Sequence, residues 1–347
     1  MTLELTAHEA EALVAWRFAQ ITPPQRPVRQ AGAHPMAVLI GGTPGTGKST
    51  IQWLLQASLG ADSVAVYDYD DDAKAHPRYD AIMREHGLMG QELVVQHLPP
   101  KLFSRCLDHL RRSDPPYDLI ASAPLETADV TRRWIDGFHA VDYRVPLVYV
   151  VTNEANSALG RANRYQLARD DTGIGRWVVD PGLGPRADRA IPDNALAIEA
   201  ASYADDLYIV DRDGYVLYEN HRGDDGRMPP PHLARQEMLA ERNRPPTQEE
   251  HDLFVATAVP LLDRTDLEQP VADLVRWTWD KHAQRGAPQP ITRAPLYRLD
   301  QRLIALHRIT AAGVAPPQMT SSAMTTARGT SGRSPTGSQR QRAETDR

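Results

Sequence analysis

Hydrophobic and polar positions follow three successive rhythms along the chain. From Thr6 onward, Ala10, Leu13, Val14, Phe18 and Ile21 recur on one helical face, and Thr6 with Glu9 has the spacing of a capping box. This stripe predicts a helix that docks on a neighbour. Pro23, Pro24, Pro27 and Pro35 cannot continue it, so residues 22–35 read as a linker and residues 1–35 as an N-terminal appendage. From Met36 the rhythm changes to short apolar runs at 36–40, 64–67, 119–122, 147–151 and 207–210, separated by amphipathic segments. Parallel strands with crossover helices have this signature. The last run continues through Asp211-Arg212-Asp213-Gly214 into 215–218, where Asp-Gly favours a hairpin and an antiparallel edge. The expected architecture is a three-layer α/β domain with a mainly parallel sheet over residues 36–222.

After Gly223 the rhythm becomes helical. Pro229, Pro230 and Pro231 form a joint, and helical patterns follow near 232–243, 248–263, 267–283 and 296–309, with Thr247 and Glu250 as a second capping box. These residues, 223–312, form a helical extension that either packs on the α/β domain or makes a small domain. From Pro316 to Arg347 there is no Val, Ile, Leu, Phe, Tyr or Trp, so no core can offset the ordering entropy, and residues 313–347 are expected to be a disordered tail.

Charge and cysteine content narrow the class. A formal net charge of −6 gives no overall basic field, so nucleic acid is not the expected partner and a small anionic substrate needs local cations. The one cysteine, Cys106, excludes an intramolecular disulfide and reads as a small buried apolar residue. The first residues carry acids among their apolar positions and do not read as a signal peptide. No run approaches the roughly 18 apolar residues of a membrane span. The expected location is cytoplasmic.

The chemistry concentrates in Gly42-Thr43-Pro44-Gly45-Thr46-Gly47-Lys48-Ser49, which matches the phosphate-binding P-loop pattern between an apolar strand and a helical segment. Its glycines let backbone N–H groups turn toward phosphate oxygens, and the helix that begins there points its positive end at the same anion. Lys48 reaches the terminal phosphates and Ser49 offers a hydroxyl to Mg²⁺; with Thr50 these residues are the candidate ATP-binding set. The motif names a nucleotide, not a reaction. Asp68, Asp70, Asp71 and Asp72 follow the second strand, on the sheet rim that also bears the phosphate loop. A carboxylate there can accept the proton of an attacking hydroxyl, and Asp70 is the candidate; Asp71 and Asp72 read as a solvated acidic loop. Arg164 and Arg176 read as phosphate-closing groups on a lid hinged at Thr172-Gly173-Ile174-Gly175, and Arg161 and Arg169 as exposed helix residues. No later apolar strand ends in the acid a motor-type ATPase requires, since 119–122 runs into Ala123-Pro124 and 147–151 into Thr152-Asn153.

Together these residues resemble the zeta toxin family of P-loop kinases over roughly residues 36–221. The resemblance rests on Gly41 to Thr50, on Asp68-Tyr69-Asp70 with His76-Pro77 beyond it, on Arg164-Tyr165, Asp170-Asp171 and Arg176, and on the 208–214 hairpin. It implies ATP and Mg²⁺ as cofactors, UDP-N-acetylglucosamine as acceptor and an epsilon-type antitoxin as partner. It also implies Asp70 as general base, with Lys48, Arg164 and Arg176 holding phosphates and transition-state charge. His76-Pro77 reads as a structural turn. One stretch departs from the family. Where it has glutamate, glycine and threonine with an arginine close behind, this chain has Ser122-Ala123-Pro124-Leu125-Glu126. The resemblance therefore implies a well-kept ATP half and an altered acceptor half, with Asp68, Ser122 and Glu126 as candidate acceptor-side residues. A non-catalytic, nucleotide-gated interaction protein and a kinase of another small molecule remain the alternatives.

Overall fold

A computed structural model describes residues 3–29, 32–180, 182–290 and 297–310. The strands β1 (Ala37–Gly41), β2 (Val64–Asp68), β3 (Asp118–Ser122), β4 (Pro146–Val150), β5 (Asp206–Val210) and β6 (Val216–His221) form one sheet in the order β2-β3-β1-β4-β5-β6. The first five are parallel, and β6 pairs antiparallel with β5 at the edge, as the Asp-Gly turn predicts. Each expected strand lies within three residues of its observed ends. Such runs are legible because strands β1, β3, β4 and β5 are buried along their whole length.

The period of two along each strand divides the core. Leu39, Leu119, Leu147 and Leu207 face one side, where they meet α5 (Leu102–Arg111), α6 (Ala128–His139) and α8 (Leu183–Ala200). Val38, Ile40, Val148 and Tyr208 face the other, against Ile51 and Leu55 of α2 (Lys48–Leu59) and Leu299 and Leu303 of α12 (Leu299–Thr310). The result is the expected three-layer α/β fold.

The N-terminal helix α1 (Ala7–Ile21) closes its capping box through Thr6 and Glu9 and buries Leu13, Val14 and Ile21 beside α5. Two short helices, α3 (Tyr79–His86) and α4 (Gly90–Gln96), pack on each other and on the Tyr69–Ala75 segment that follows β2. The extension is built into the domain. Helix α9 (Ala234–Asn243) packs on α8, while α10 (Gln248–Leu262) and α11 (Gln269–Ala283) pack on α7 (Glu154–Thr172). Phe254, Ala258, Val271 and Val275 share a core with Leu159 and Tyr165 of α7. Cys106 is fully buried, and burial pushes its thiol up to about 12. The tail at 313–347 lies outside the described residues. Among the described residues, no helix is long and apolar enough to cross a membrane.

Candidate active site

In the strand order, β2 and β3 lie on one side of β1 and β4 and β5 on the other, so the carboxyl end of β1 is the switch point at which open α/β sheets bind ligands. The phosphate loop leaves β1 there. Gly42 takes φ 144°, and a side-chain carbon on it would sit 2.8 Å from the Val150 carbonyl oxygen. Gly45 takes φ 90°, and the same atom would strike the Ser157 carbonyl oxygen. Only glycine fits these two positions, which explains the motif from the backbone upward. Thr46 donates its hydroxyl to the Thr43 carbonyl (2.9 Å), and Lys48 Nζ donates to the carbonyl oxygens of Gly42 (2.8 Å) and Thr43 (3.1 Å). Burial holds the Lys48 ammonium down to about 8, against the pull of Asp70 and Asp68.

A cleft of about 800 Å³ opens over this loop. Its lining includes Gly45, Lys48, Ser49, Asp68, Asp70, Ser122 and Arg164, so residues from after β1, β2 and β3 and from α7 meet as expected. Thr43, Thr46 and Thr50 do not line it; Thr43 and Thr46 are buried and shape the loop from behind. Ser49, Asp68 and Asp70 all line the cleft, and their hydroxyl and carboxylates are hard oxygen donors, a set that suits Mg²⁺.

The acidic segment is a 3-10 turn, Tyr69–Ala75, capped by Asp68, whose Oδ1 accepts from the Asp70 N–H at 2.9 Å. Burial and the neighbouring Asp70 raise the Asp68 pKa. Asp70 is exposed to the cleft. Asp72 corrects the expectation of a solvated residue. It is buried, accepting from Arg17 Nε (2.8 Å) and the Tyr67 hydroxyl (2.6 Å), and Arg17 also donates to the Asp68 carbonyl (3.0 Å). The anchor of the turn therefore comes from α1. Sequence reasoning missed Arg17, although its spacing from Leu13, Val14 and Ile21 puts it on the docking face.

Arg176 reaches the same turn, donating to the Asp70 carbonyl (3.1 Å) and lying 3.4 Å from Asp71 Oδ1. Burial and Arg176 lower the pKa of Arg164, with Asp70 and Asp68 opposing. Within the Thr172–Gly175 segment before Arg176, expected as a hinge, Gly175 is packed, since a side chain on it would meet the Tyr165 carbonyl at 2.5 Å and Trp177 stands edge-on to that tyrosine, whereas Thr172 and Gly173 are exposed and a side chain on Gly173 would meet nothing within 4 Å. Arg169 does pair on the surface, with Glu268 and the Tyr165 hydroxyl. Arg161 differs from expectation. It is partly buried and packs against Gly45 of the phosphate loop and Gly184. Beyond the cleft lies a chamber of about 500 Å³ lined by Lys74, Tyr79, Arg84, Arg164 and Arg176, joined to the cleft at Arg164.

The altered segment is held firmly. Leu125 adopts φ 47°, and its carbonyl accepts from Asn194 Nδ2 (2.7 Å) and the Tyr149 hydroxyl (3.2 Å), while the Gly42 N–H donates to the Pro124 carbonyl (3.2 Å). Ser122 is buried on the cleft wall beside Gln52 (3.5 Å). Glu126 does not line the cleft, and Arg186 of α8, near enough to feel its charge, is paired with Asp180. Arg212 was also missed. It lines the cleft over Gly47, where the 211–214 sequence reads only as a hairpin. His76 makes the expected structural turn, buried and accepting from the Arg78 N–H (3.2 Å).

Comparison with known proteins agrees with this geometry. The family profile described as Zeta toxin matches residues 21–223. Toxin zeta of Enterococcus hirae is 25% identical over 195 residues, covering 55% of this chain and 66% of that protein. Toxin PezT of Streptococcus pneumoniae is 24% identical over 211 residues, covering 55% of this chain and 74% of that protein. A solved structure from the PezAT chromosomal toxin–antitoxin system of Streptococcus pneumoniae superposes with a TM-score of 0.58 at 19% identity, over 75% of this chain and 98% of that one, a likeness of fold. The chain spans just under two thirds of the length of the Enterococcus toxin.

Proposed function

Since the chain belongs to the zeta toxin family, we propose that it is an ATP-dependent phosphotransferase that moves the γ-phosphoryl group of ATP to a hydroxyl of a small acceptor. The observation that carries this reading is the meeting of Lys48, Asp70 and Arg164 around one cleft, with Arg176 hydrogen-bonded to the turn that bears Asp70. Lys48 and the loop N–H groups hold the phosphate tail. Asp70 takes the proton of the attacking hydroxyl, a contribution typically worth about 10²–10⁴ in rate. Arg164 and Arg176 offset the charge on the phosphoryl group in transit. Ser49, with Asp68 nearby, would hold Mg²⁺, which would supply positive charge against the phosphates.

A sugar nucleotide, with UDP-N-acetylglucosamine favoured by the family likeness, is the acceptor we propose. The chamber lined by Lys74, Arg84, Arg164 and Arg176 supports an acceptor with a charged end, because its cations outnumber Asp71 and Asp80, the carboxylates paired with Lys74 and Arg84. An antitoxin protein is the proposed partner, by likeness to PezT and the PezAT system. Incubation with labelled ATP and a panel of sugar nucleotides tests the activity. Phosphorylated acceptor is expected. A preparation that binds ATP yet labels no acceptor in the panel would favour the nucleotide-gated interaction protein, a reading motivated by Ser122, Ala123 and Pro124.

A further inference from the structure

One cation of the cleft is left over by the proposed chemistry. Arg212 stands on the turn between β5 and β6 and lines the cleft, and among the described residues its guanidinium has no carboxylate partner. The backbone that carries it is pressed against the phosphate loop. A side-chain carbon on Gly47 would sit 3.3 Å from Arg212 Cβ and 3.6 Å from its Cα and its carbonyl oxygen. The turn is held from within, because Asp211 Oδ1 accepts from the N–H groups of Asp213 and Tyr215, each at 2.9 Å. It is also held from outside. The Val216 N–H donates to the Tyr297 carbonyl (3.0 Å), the Leu299 N–H donates to the Gly214 carbonyl (2.9 Å), and the Arg298 guanidinium lies 5.5 Å from the centre of the Tyr215 ring. Residues 297–299 belong to the extension beyond residue 223, where the family match ends. The extension therefore fixes where Arg212 stands.

The strand order gives this cation a direction. Asp70 follows β2 and Arg212 follows β5, and those strands lie on opposite sides of β1 and its phosphate loop. In the proposed reaction the γ-phosphoryl group faces Asp70. A triphosphate laid along the loop from there carries its α-phosphate and nucleoside toward β5, where Arg212 stands. The phosphates already have Lys48, Arg164, Arg176 and the loop N–H groups. What remains for Arg212 is the nucleoside, and a planar guanidinium free of a carboxylate can lie flat on a base. We propose that Arg212 is the base-contacting residue of the nucleotide site, held in place by the Tyr297–Leu299 segment of the extension. The γ-phosphoryl group is then recognised on the β2 side of the loop and the base on the β5 side, the second from a turn that a later part of the chain braces. This inference rests on the nucleotide-binding part of the proposed function.

The test uses the full chain, with Mg²⁺, and two probes measured by calorimetry: a non-hydrolysable ATP analogue and inorganic tripolyphosphate, which has the phosphates without the nucleoside. Arg212→Ala is expected to weaken the analogue about tenfold, with unchanged far-ultraviolet circular dichroism, and to leave tripolyphosphate within twofold of the parent. Arg212→Lys keeps the charge and loses the plane, so it should recover little of that loss. Arg235→Ala removes an exposed pair with Asp193 (2.6 Å) far from the loop in sequence and should leave both probes within twofold. A folded Arg212→Ala with parental affinity for the analogue would overturn the proposal while the kinase reading stood. So would an equal loss for both probes, or full rescue by lysine, since either makes Arg212 one more phosphate cation. A parent protein that binds neither probe would defeat the proposed function and this inference together.

Discussion

The two walls of the cleft are built on different principles. The nucleotide wall is made by contiguous backbone: Gly42 to Lys48 form a loop whose shape is dictated by two glycines that tolerate no side chain and by hydrogen bonds among near neighbours. The wall that bears Asp70, the acceptor side in the proposed reaction, is assembled from distant pieces. Asp70 stands on a turn held by Arg17, 55 positions before Asp72, and by Arg176, 106 positions after Asp70. A local motif survives in sequence nearly intact, whereas a wall supported by long-range side-chain contacts can exchange its members. The altered Ser122-Ala123-Pro124 stretch lies on that second wall.

The largest expected effects separate the two walls by kind. Lys48→Ala should remove both analogue binding and turnover, whereas Asp70→Asn should lower turnover about 10²-fold or more with analogue binding retained. Calorimetry beside a steady-state transfer assay distinguishes them, and equal losses of binding in both variants would erase the division. Next in size is Arg17→Ala, which leaves the Asp72 carboxylate buried without its cation. Breaking such a pair costs about 3–5 kcal/mol, visible in urea unfolding. Because Arg17 also holds the Asp68 carbonyl, the folded variant should lose kcat more than ATP affinity. A smaller effect follows from Lys48. Its pKa is held down to about 8 in the free protein, and a triphosphate favours the charged form. Nucleotide affinity should be flat below pH 8 and then fall by up to about tenfold per pH unit, with proton uptake on binding. Titrations at pH 7, 8 and 9 in two buffers of different ionisation enthalpy measure both, and a pH-independent affinity would move Lys48 out of the phosphate site.

The strands were legible because burial on both faces leaves continuous apolar runs. The phosphate loop was legible because its geometry forces glycine at fixed spacing. The helices between β2 and β3 were legible only as an amphipathic segment, without their number or bounds. Asp72 and Arg161 were misjudged for a related reason: a charged side chain looks solvated until its partner is known, and the partners lie on α1 and across the loop. The reverse holds for Glu126, which ends the altered stretch in sequence and does not line the cleft in space.

By itself, then, the sequence determined the parallel sheet, the place of the glycine-rich loop at the end of β1 and the identity of the groups that can move a proton or hold a charge. These depend on residue type and on spacings of a few positions. Only the tertiary structure decided which carboxylate is buried and which is presented, that α1 anchors the acidic turn, and that α9 packs on α8 and meets the N-cap of α7. Those outcomes depend on which side chains meet across the fold, and the interaction energy of a charge is set by its surroundings rather than by its place in the chain.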